Sequence, residues 1–217
     1  IVSTVCSLPL LKSICKGAGI PETIGFFTDQ NATDDGLFLI NTGLANTEDL
    51  GKVLKFDNAS VLPVSYWYSS QARMINGTDQ MFPPSLSSSK PLFLFIGKFK
   101  RSVYLKYQRE VKVEGVPAWR YIMPPELFDY YRDENKGFCN PKTPNYLAKT
   151  EQKEGCPPNG LFDIGSIQKS KPRIYLSGSH FYYSSPSLCN MTGIKEPSAK
   201  EDEAFFDIEP NTGIILR

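Results

Sequence analysis

From Gly25 onward, apolar and aromatic residues come in runs of four to eight, each closed by Gly, Pro, Asn or Asp. That punctuation suits β-strands and turns, and it leaves too few residues between breakers for long helices. The spacing predicts strands at Leu37–Ile40, Val61–Trp67, Leu92–Ile96, Val103–Val113, Ala118–Met123, Arg173–Leu176 and Ile214–Leu216. Val103, Leu105 and Tyr107 alternate with Tyr104, Lys106 and Gln108, as a strand with one buried face should. Arg109 interrupts that face before Val111 and Val113 resume it, so a bulge is expected there. Gly115-Val116-Pro117 reads as the turn beyond it. Pro124–Arg132 reads as one or two helical turns, since Pro followed by Glu126 suits a helix start. Val2, Val5, Cys6, Leu10 and Ile14 sit at helical spacing cut short by Pro9, so residues 1–20 read as a short helix and its exit. Asp133–Asn159 and Lys195–Glu203 read as polar loops. The fold class is mainly β with short helices, and residues 1–217 read as one β-rich domain with embellishing loops.

Hydrophobic residues make up 41% of the 217 positions and charged residues 22%, which supports a packed core rather than disorder. A formal net charge of +1 provides no field to attract nucleic acid. No run of 18 apolar residues is present to cross a bilayer as a helix, and the longest candidate, Val2–Ile14, is broken by Pro9 and Lys12. With no initiator Met and no signal peptide, the chain is expected to be a processed or trimmed piece of a longer protein.

Asn-x-Ser/Thr occurs at Asn31, Asn58, Asn76 and Asn190, where chance would give about one or two such sites. The excess points to the secretory pathway, with glycans on surface loops. Cys6, Cys15, Cys139, Cys156 and Cys189 follow no zinc-ligand spacing, and the single histidine is His180. They read as disulfide cysteines, with one left over. The loop Asp133–Asn159 calls for a staple, and a Cys139–Cys156 bridge would contribute about 3 kcal/mol by chain entropy. Cys6 and Cys15 are close enough in sequence to pair, leaving Cys189 odd.

No nucleophile elbow, phosphate-cradling loop or dinucleotide fingerprint is present. His180, beside Ser179, is the one imidazole available to a hydrolase; the plainer reading is a strand histidine hydrogen-bonded in the core. Asp34-Asp35 and Glu201-Asp202-Glu203 have the composition of calcium ligands, against the plainer reading of solvated loops. Nothing points to a cofactor or a metal. The aromatic pairs Phe26-Phe27, Tyr130-Tyr131, Tyr182-Tyr183 and Phe205-Phe206, with Tyr66-Trp67-Tyr68, fit an ordinary sheet core or the lining of an apolar channel.

Several blocks, in order, resemble the class B scavenger receptor family. Ile24-Gly25-Phe26-Phe27 with Asn31-Ala32-Thr33-Asp34-Asp35-Gly36 is similar to the family's glycosylated loop past its apical helices. Ser65-Tyr66-Trp67 precedes Met74-Ile75-Asn76-Gly77-Thr78-Asp79 and Phe82-Pro83-Pro84. Arg101-Ser102-Val103-Tyr104 and Gly115-Val116-Pro117-Ala118-Trp119-Arg120-Tyr121 come next. Phe138-Cys139, Cys156 and Gly160-Leu161-Phe162-Asp163-Ile164 resemble the family's cysteine loop and the strand after it. His180-Phe181-Tyr182 and Asp207-Ile208-Glu209-Pro210-Asn211-Thr212-Gly213 complete a set covering about residues 20–217.

The resemblance implies an irregular antiparallel β-barrel ectodomain with a helical apex, held between two membrane anchors and carrying lipid through a tunnel. It implies a receptor, not an enzyme, whose ligands are sterol, phospholipid or fatty acid, with a lysosomal hydrolase or a lipoprotein as protein partner. The segments 31–36 and 212–216 are nearer the lysosomal branch, which implies a lysosomal or endosomal membrane address; the cell surface is the alternative. Residues 1–20 would be a remnant of the apex, offering Lys12 and Lys16 to anionic headgroups or merely as helix-surface lysines. Other segments of the receptor are expected to supply missing strands, because half a barrel exposes unpaired edges. Lys100 stands where the family commonly has a cysteine, and Gly137 or about Ile167 stands where its partner would be.

Overall fold

The most strongly alternating stretch of the sequence forms the longest strand of the computed structural model, which describes Ser13 and residues 33–140, 155–167 and 174–217. Two units are separable, Ile1–Asp35 and Gly36–Arg217, and every strand among the described residues belongs to the second. These strands are β1 (Phe38–Ile40), β2 (Val53–Phe56), β3 (Leu92–Ile96), β4 (Arg101–Val113), β5 (Val116–Ile122), β6 (Leu161–Asp163), β7 (Tyr175–Ser177) and β8 (Phe205–Ile208). All pairings are antiparallel: β1 with β2, β6 with β7, and a curled half-barrel sheet in the order β3-β4-β5-β8. The mainly β architecture expected from the sequence is what forms.

In β4 the inward residues Arg101, Val103 and Leu105 are buried, while the strand beyond Lys106 emerges from the core. The β4–β5 register shifts between Tyr107 and Arg109, where the interruption of the apolar face predicts a bulge. The connecting turn is Glu114-Gly115, both at positive φ, the combination whose twist matches a two-residue hairpin. Val116 and Pro117 are therefore already in β5, one step later than a turn at 115–117 would put them. β3 pairs only with Arg101–Leu105, so β4 and β5 run on past it as a two-stranded ribbon.

The β1–β2 pair joins the large sheet at one point. Thr78 bridges Lys52 on one side and Leu94 on the other. Its N–H donates to Phe93 O (3.0 Å), its carbonyl accepts from Phe95 N–H (2.8 Å), and Val53 N–H donates to Gly77 O (2.9 Å). Gly77 lies at φ 106°, and a Cβ there would sit 2.3 Å from the Phe93 carbonyl, so only glycine permits this approach. This contact covers part of the β3 edge. At the other end of the sheet, Ile215 bridges Ile208, and Leu216 N–H donates to Asp207 O (2.8 Å). The outer strands are thus partly covered within the described residues.

Asp207 explains the β8 end. Its carboxylate is completely buried and receives Arg120 Nε at 2.7 Å, Arg120 Nη2 at 2.8 Å and Arg217 Nη2 at 2.8 Å. Both guanidinium groups also lie over the Phe205 ring. Burial pushes this carboxyl up, but the two arginines outweigh it and hold it below the usual carboxylate range. Downstream, Glu209 accepts from the N–H groups of Asn211 and Thr212 and from the Thr212 hydroxyl, fixing the turn that brings Ile215 back to β8.

Two apolar clusters form the core. One gathers Phe56, Leu62, Trp67, Phe95, Tyr130, Phe138 and Phe162 with the Cys139–Cys156 disulfide; the other gathers Phe82, Leu94, Val103, Leu105, Tyr121 and Ile208. Residues 61–67 depart from the expected strand. Pro63 has no N–H, Tyr66 N–H donates back to Pro63 O, and the chain turns so that Leu62 and Trp67 are buried while Val64 is 77% exposed. Residues 214–216 make only the single bridge at Ile215. Pro124–Arg132 gives a 3-10 turn at Pro125–Phe128. Two short helices sit late in the chain, α1 (Pro186–Thr192) and α2 (Ala199–Asp202), the second within the expected 195–203 loop. Pro186 opens α1 and Gly193 closes it at φ 68°, the ordinary punctuation of a helix. The helix expected over 1–20 lies outside the described residues.

Removing the Asp207 carboxylate leaves Arg120 only 12% exposed and without its counter-charge. The substitution Asp207→Ala is expected to lower the unfolding free energy of the full-length protein by about 3 kcal/mol, the lower end for breaking a buried pair. Arg217 is more than half exposed, and Arg217→Ala is expected to lose less than about 1 kcal/mol. Chemical denaturation of the two variants checks the ranking.

Candidate functional site, an apolar cavity beneath a strained turn

Between the sheet and the segment 177–183 lies a cavity of about 250 Å³. Val103 and Met123 form its floor, Phe99, Phe128 and Phe162 its walls, and Leu176 with Tyr182 its cover. The rings interlock edge to face: Phe99 meets Phe162 at 5.3 Å, while Phe128 meets Phe162 at 6.2 Å. Gly160 makes the cover fit. It sits at φ 84°, and a Cβ there would lie 2.2 Å from Ser184 Cα, so the turn rests directly on backbone.

That turn is strained. His180, Phe181 and Tyr183, none of them glycine, have φ of 46°, 62° and 65°. Such residues persist only where their surroundings hold them, and here the polar rim does so. Asp202 Oδ1 accepts from Ser179 Oγ (2.9 Å) and His180 Nδ1 (2.6 Å), while its Oδ2 accepts from Ser198 N–H (2.8 Å). Glu203 takes the Tyr183 hydroxyl (2.8 Å) and the Gln108 amide from β4 (2.8 Å). The His180 hydrogen bond, helped by the Ser198 N–H, holds the Asp202 carboxyl down at about 2.

These contacts bear on two sequence readings. Relay chemistry needs a serine donating to a ring nitrogen that can take its proton. Here Nδ1 carries its hydrogen toward Asp202, and Ser179 donates to that same carboxylate oxygen, so the three groups form no relay. His180 is also not a core strand histidine: its side chain is 52% exposed on a 3-10 turn. The acids 201–203 turn to separate partners, Glu201 to Lys195, Asp202 to the strained turn and Glu203 to Tyr183, so they gather around no common point. Among the described residues no cluster of three metal-ligating side chains occurs.

Of the other residues singled out, Asn58 and Asn190 are exposed and Asn76 is half-buried, with Thr78 of its sequon 5% exposed in the sheet junction. Cys139 and Cys156 form a disulfide, and Cys189 is a free, half-buried thiol on α1. Asn31, Cys6, Cys15, Lys12 and Lys16 lie outside the described residues. Lys100 is in the left-handed conformation with its Nζ 4.0 Å from the Phe56 ring centroid, and its carbonyl accepts from the Trp67 indole. A side chain at Gly137 would collide with Ser69 Oγ, so no bridge of the family's type fits there. Sequence reasoning took up Phe162 only within a family block and did not single out Phe99, Phe128 or Leu176. Gly160 and Gly178 beside the turn were the signals that a close approach occurs.

The blocks that resemble a receptor family are the ones that interlock. Ser102 Oγ donates to Met74 O (3.0 Å) and accepts from Asn76 N–H (2.9 Å), tying the 74–79 block to the 101–104 block. A model of the CD36 family matches residues 4–217. The chain belongs to the CD36 family. Curated relatives in the same comparison include lysosome membrane protein 2 of Rattus norvegicus, 33% identical over 199 residues, covering 91% of this chain and 38% of that protein. The Homo sapiens lysosome membrane protein 2 is 31% identical at the same coverage. Scavenger receptor class B member 1 of Bos taurus is 32% identical over 195 residues, covering 88% of this chain and 35% of that protein. The chain therefore spans well under half the length of these relatives.

Because Asp202 titrates below its ordinary range when folded, its interactions stabilise the turn fully above the usual carboxylate pKa. They are lost as pH falls through its folded value of about 2. The wild-type protein is expected to lose stability relative to Asp202→Asn between about pH 4 and pH 2 and to keep a constant advantage from about pH 5 to 7. Thermal unfolding midpoints of both proteins across that range check it.

Proposed function

We propose that this chain is part of a membrane glycoprotein receptor that takes up lipid in its lumenal or extracellular domain and passes it along the curled sheet. The observation carrying this reading is the cavity under the 177–183 turn, which is walled by Phe99, Phe128 and Phe162 and almost free of polar groups except at its rim. At about 250 Å³ it falls just under the roughly 300–1,000 Å³ of pockets that enclose whole small ligands. It suits a sterol ring system or a section of an acyl chain. Membership of the CD36 family supports a receptor rather than an enzyme. Likeness to lysosome membrane protein 2 favours a lysosomal or endosomal membrane, and the near-equal likeness to scavenger receptor class B member 1 supports the cell surface as the alternative. The greater length of these relatives supports barrel strands and membrane anchors contributed by other segments of the same receptor.

The direct test is mass spectrometry of lipid extracted from the purified full-length protein, with a fluorescent sterol titrated in parallel. Wild type is expected to yield bound sterol, phospholipid or fatty acid. Leu176→Trp, in the exposed cover, and Ala204→Trp, at an exposed lining position, are expected to weaken sterol binding at least tenfold with unchanged unfolding midpoints. Lipid-free wild type, or both variants binding as wild type does, would reject the reading.

We further propose Asn31, Asn58, Asn76 and Asn190 as glycan sites, consistent with a disulfide-bonded protein of the secretory pathway. Asn58 and Asn190 stand on exposed surface. At Asn76 the buried Thr78 requires modification to precede folding. Asn58→Gln and Asn190→Gln are each expected to remove one step of the electrophoretic shift produced by peptide N-glycosidase.

A further inference from the structure

Arg101 opens β4, and its side chain is 1% exposed. Its guanidinium lies 3.8 Å from the centre of the Phe138 ring, 4.9 Å from that of Phe162 and 5.2 Å from that of Phe128. Nη2 donates to Leu127 O at 2.6 Å. Nε and Nη1 are buried and have no hydrogen-bond partner among the described residues. Burial pulls the pKa of this group down, the Tyr130 hydroxyl opposes that, and no carboxylate takes part. The contrast with Arg120 is direct: that guanidinium has Asp207.

A buried cation without a counter-charge is costly, and contacts with ring faces offset part of that cost without satisfying its N–H donors. A partner arriving from outside would suit such a group, because an arginine fork binds oxyanions through two parallel donors. A place for that partner adjoins it. A second cavity, of about 500 Å³, is lined by Arg101 itself, by Leu127 and Phe138 that contact its guanidinium, and by the polar side chains of Gln71, Asn76 and Arg132. Glu134 is the acid on its wall, and its carboxylate is engaged by Arg132 Nε at 2.9 Å. Phe93 and Met74 supply an apolar margin beside the polar lining.

We propose that this second cavity is a binding site for an oxyanion, a phosphate or carboxylate group, that completes the hydrogen bonds of Arg101 through Nε and Nη1. The source is either the headgroup of an amphiphile, whose chain lies along Phe93 and Met74, or the free ion. The site adjoins the cavity under the 177–183 turn, with Val103 lining both, but stands whether or not lipid enters there.

The experiment titrates the full-length protein with dodecyl phosphate below its critical micelle concentration, with dodecanol, and with inorganic phosphate, by calorimetry. Wild type is expected to bind dodecyl phosphate at least tenfold more tightly than dodecanol. Arg101→Met is expected to lose that preference. The arginine is uncompensated without ligand, so Arg101→Met is expected to fold with an unfolding midpoint no lower than that of ligand-free wild type. Arg101→Lys keeps the charge without the fork and is expected to retain the preference at several-fold lower affinity, which keeps the test open should Arg101→Met fail to fold. Inorganic phosphate binding that depends on Arg101 identifies the free ion as source; binding of dodecyl phosphate alone identifies a headgroup. Equal binding of dodecyl phosphate and dodecanol by wild type overturns the proposal. So does wild-type preference in Arg101→Met, or wild-type affinity for dodecyl phosphate in Arg101→Lys, as when a carboxylate of another protein segment already fills the site.

Discussion

The structure depends on a close backbone contact between Gly77-Thr78 and β3. Two sheets meet there through main-chain hydrogen bonds with no side chain between them, because a Cβ at residue 77 would strike the Phe93 carbonyl. The contact fixes where β2 lies against the large sheet. It also places Asn76 over Ser102 and, through Ser102, sets the start of β4. Both cavities depend on that start. Val103 on the inward face reaches both, and Arg101 lines the second.

The two buried arginines show how one residue type serves opposite ends. Arg120 is committed to the interior: with Arg217 it neutralises Asp207 and allows an acid to sit in a strand between aromatic rings. Arg101 is held in an aromatic box with two donors idle. Structural pairs of the first kind are complete within the fold. A group of the second kind is unfinished, and an unfinished polar group in a folded protein calls for an explanation of its own.

The same physics decides how much of the fold was legible in the sequence. β3, β4 and β5 were readable because one face is wet and one dry, so hydrophobicity alternates; even the bulge showed, as Arg109 out of step. β8 was hidden because Asp207 breaks its apolar run, and nothing local reveals that Arg120, 87 positions away, will satisfy it. Residues 61–67 mislead in the other direction: the apolar run reads as a strand, but Pro63 denies it a ladder. Short β2 hides because its ends are buried and its middle exposed. At the candidate site, the disulfide was legible from loop length. The cavity was not, since its walls come from five separate segments. The strain at His180, Phe181 and Tyr183 had no signal, because ordinary residues carry it.

Past Lys106 the β4–β5 ribbon leaves its neighbours behind, so near the Glu114-Gly115 turn each strand has one flank with no ladder partner among the described residues. Such a flank recruits any extended peptide that drifts against it, including another copy of itself. Arg109, Glu110, Lys112 and Glu114 line this stretch with charge of both signs. A stray strand docking there must strip water from several ions at once. The exposed ribbon therefore resists pairing with a second copy of itself.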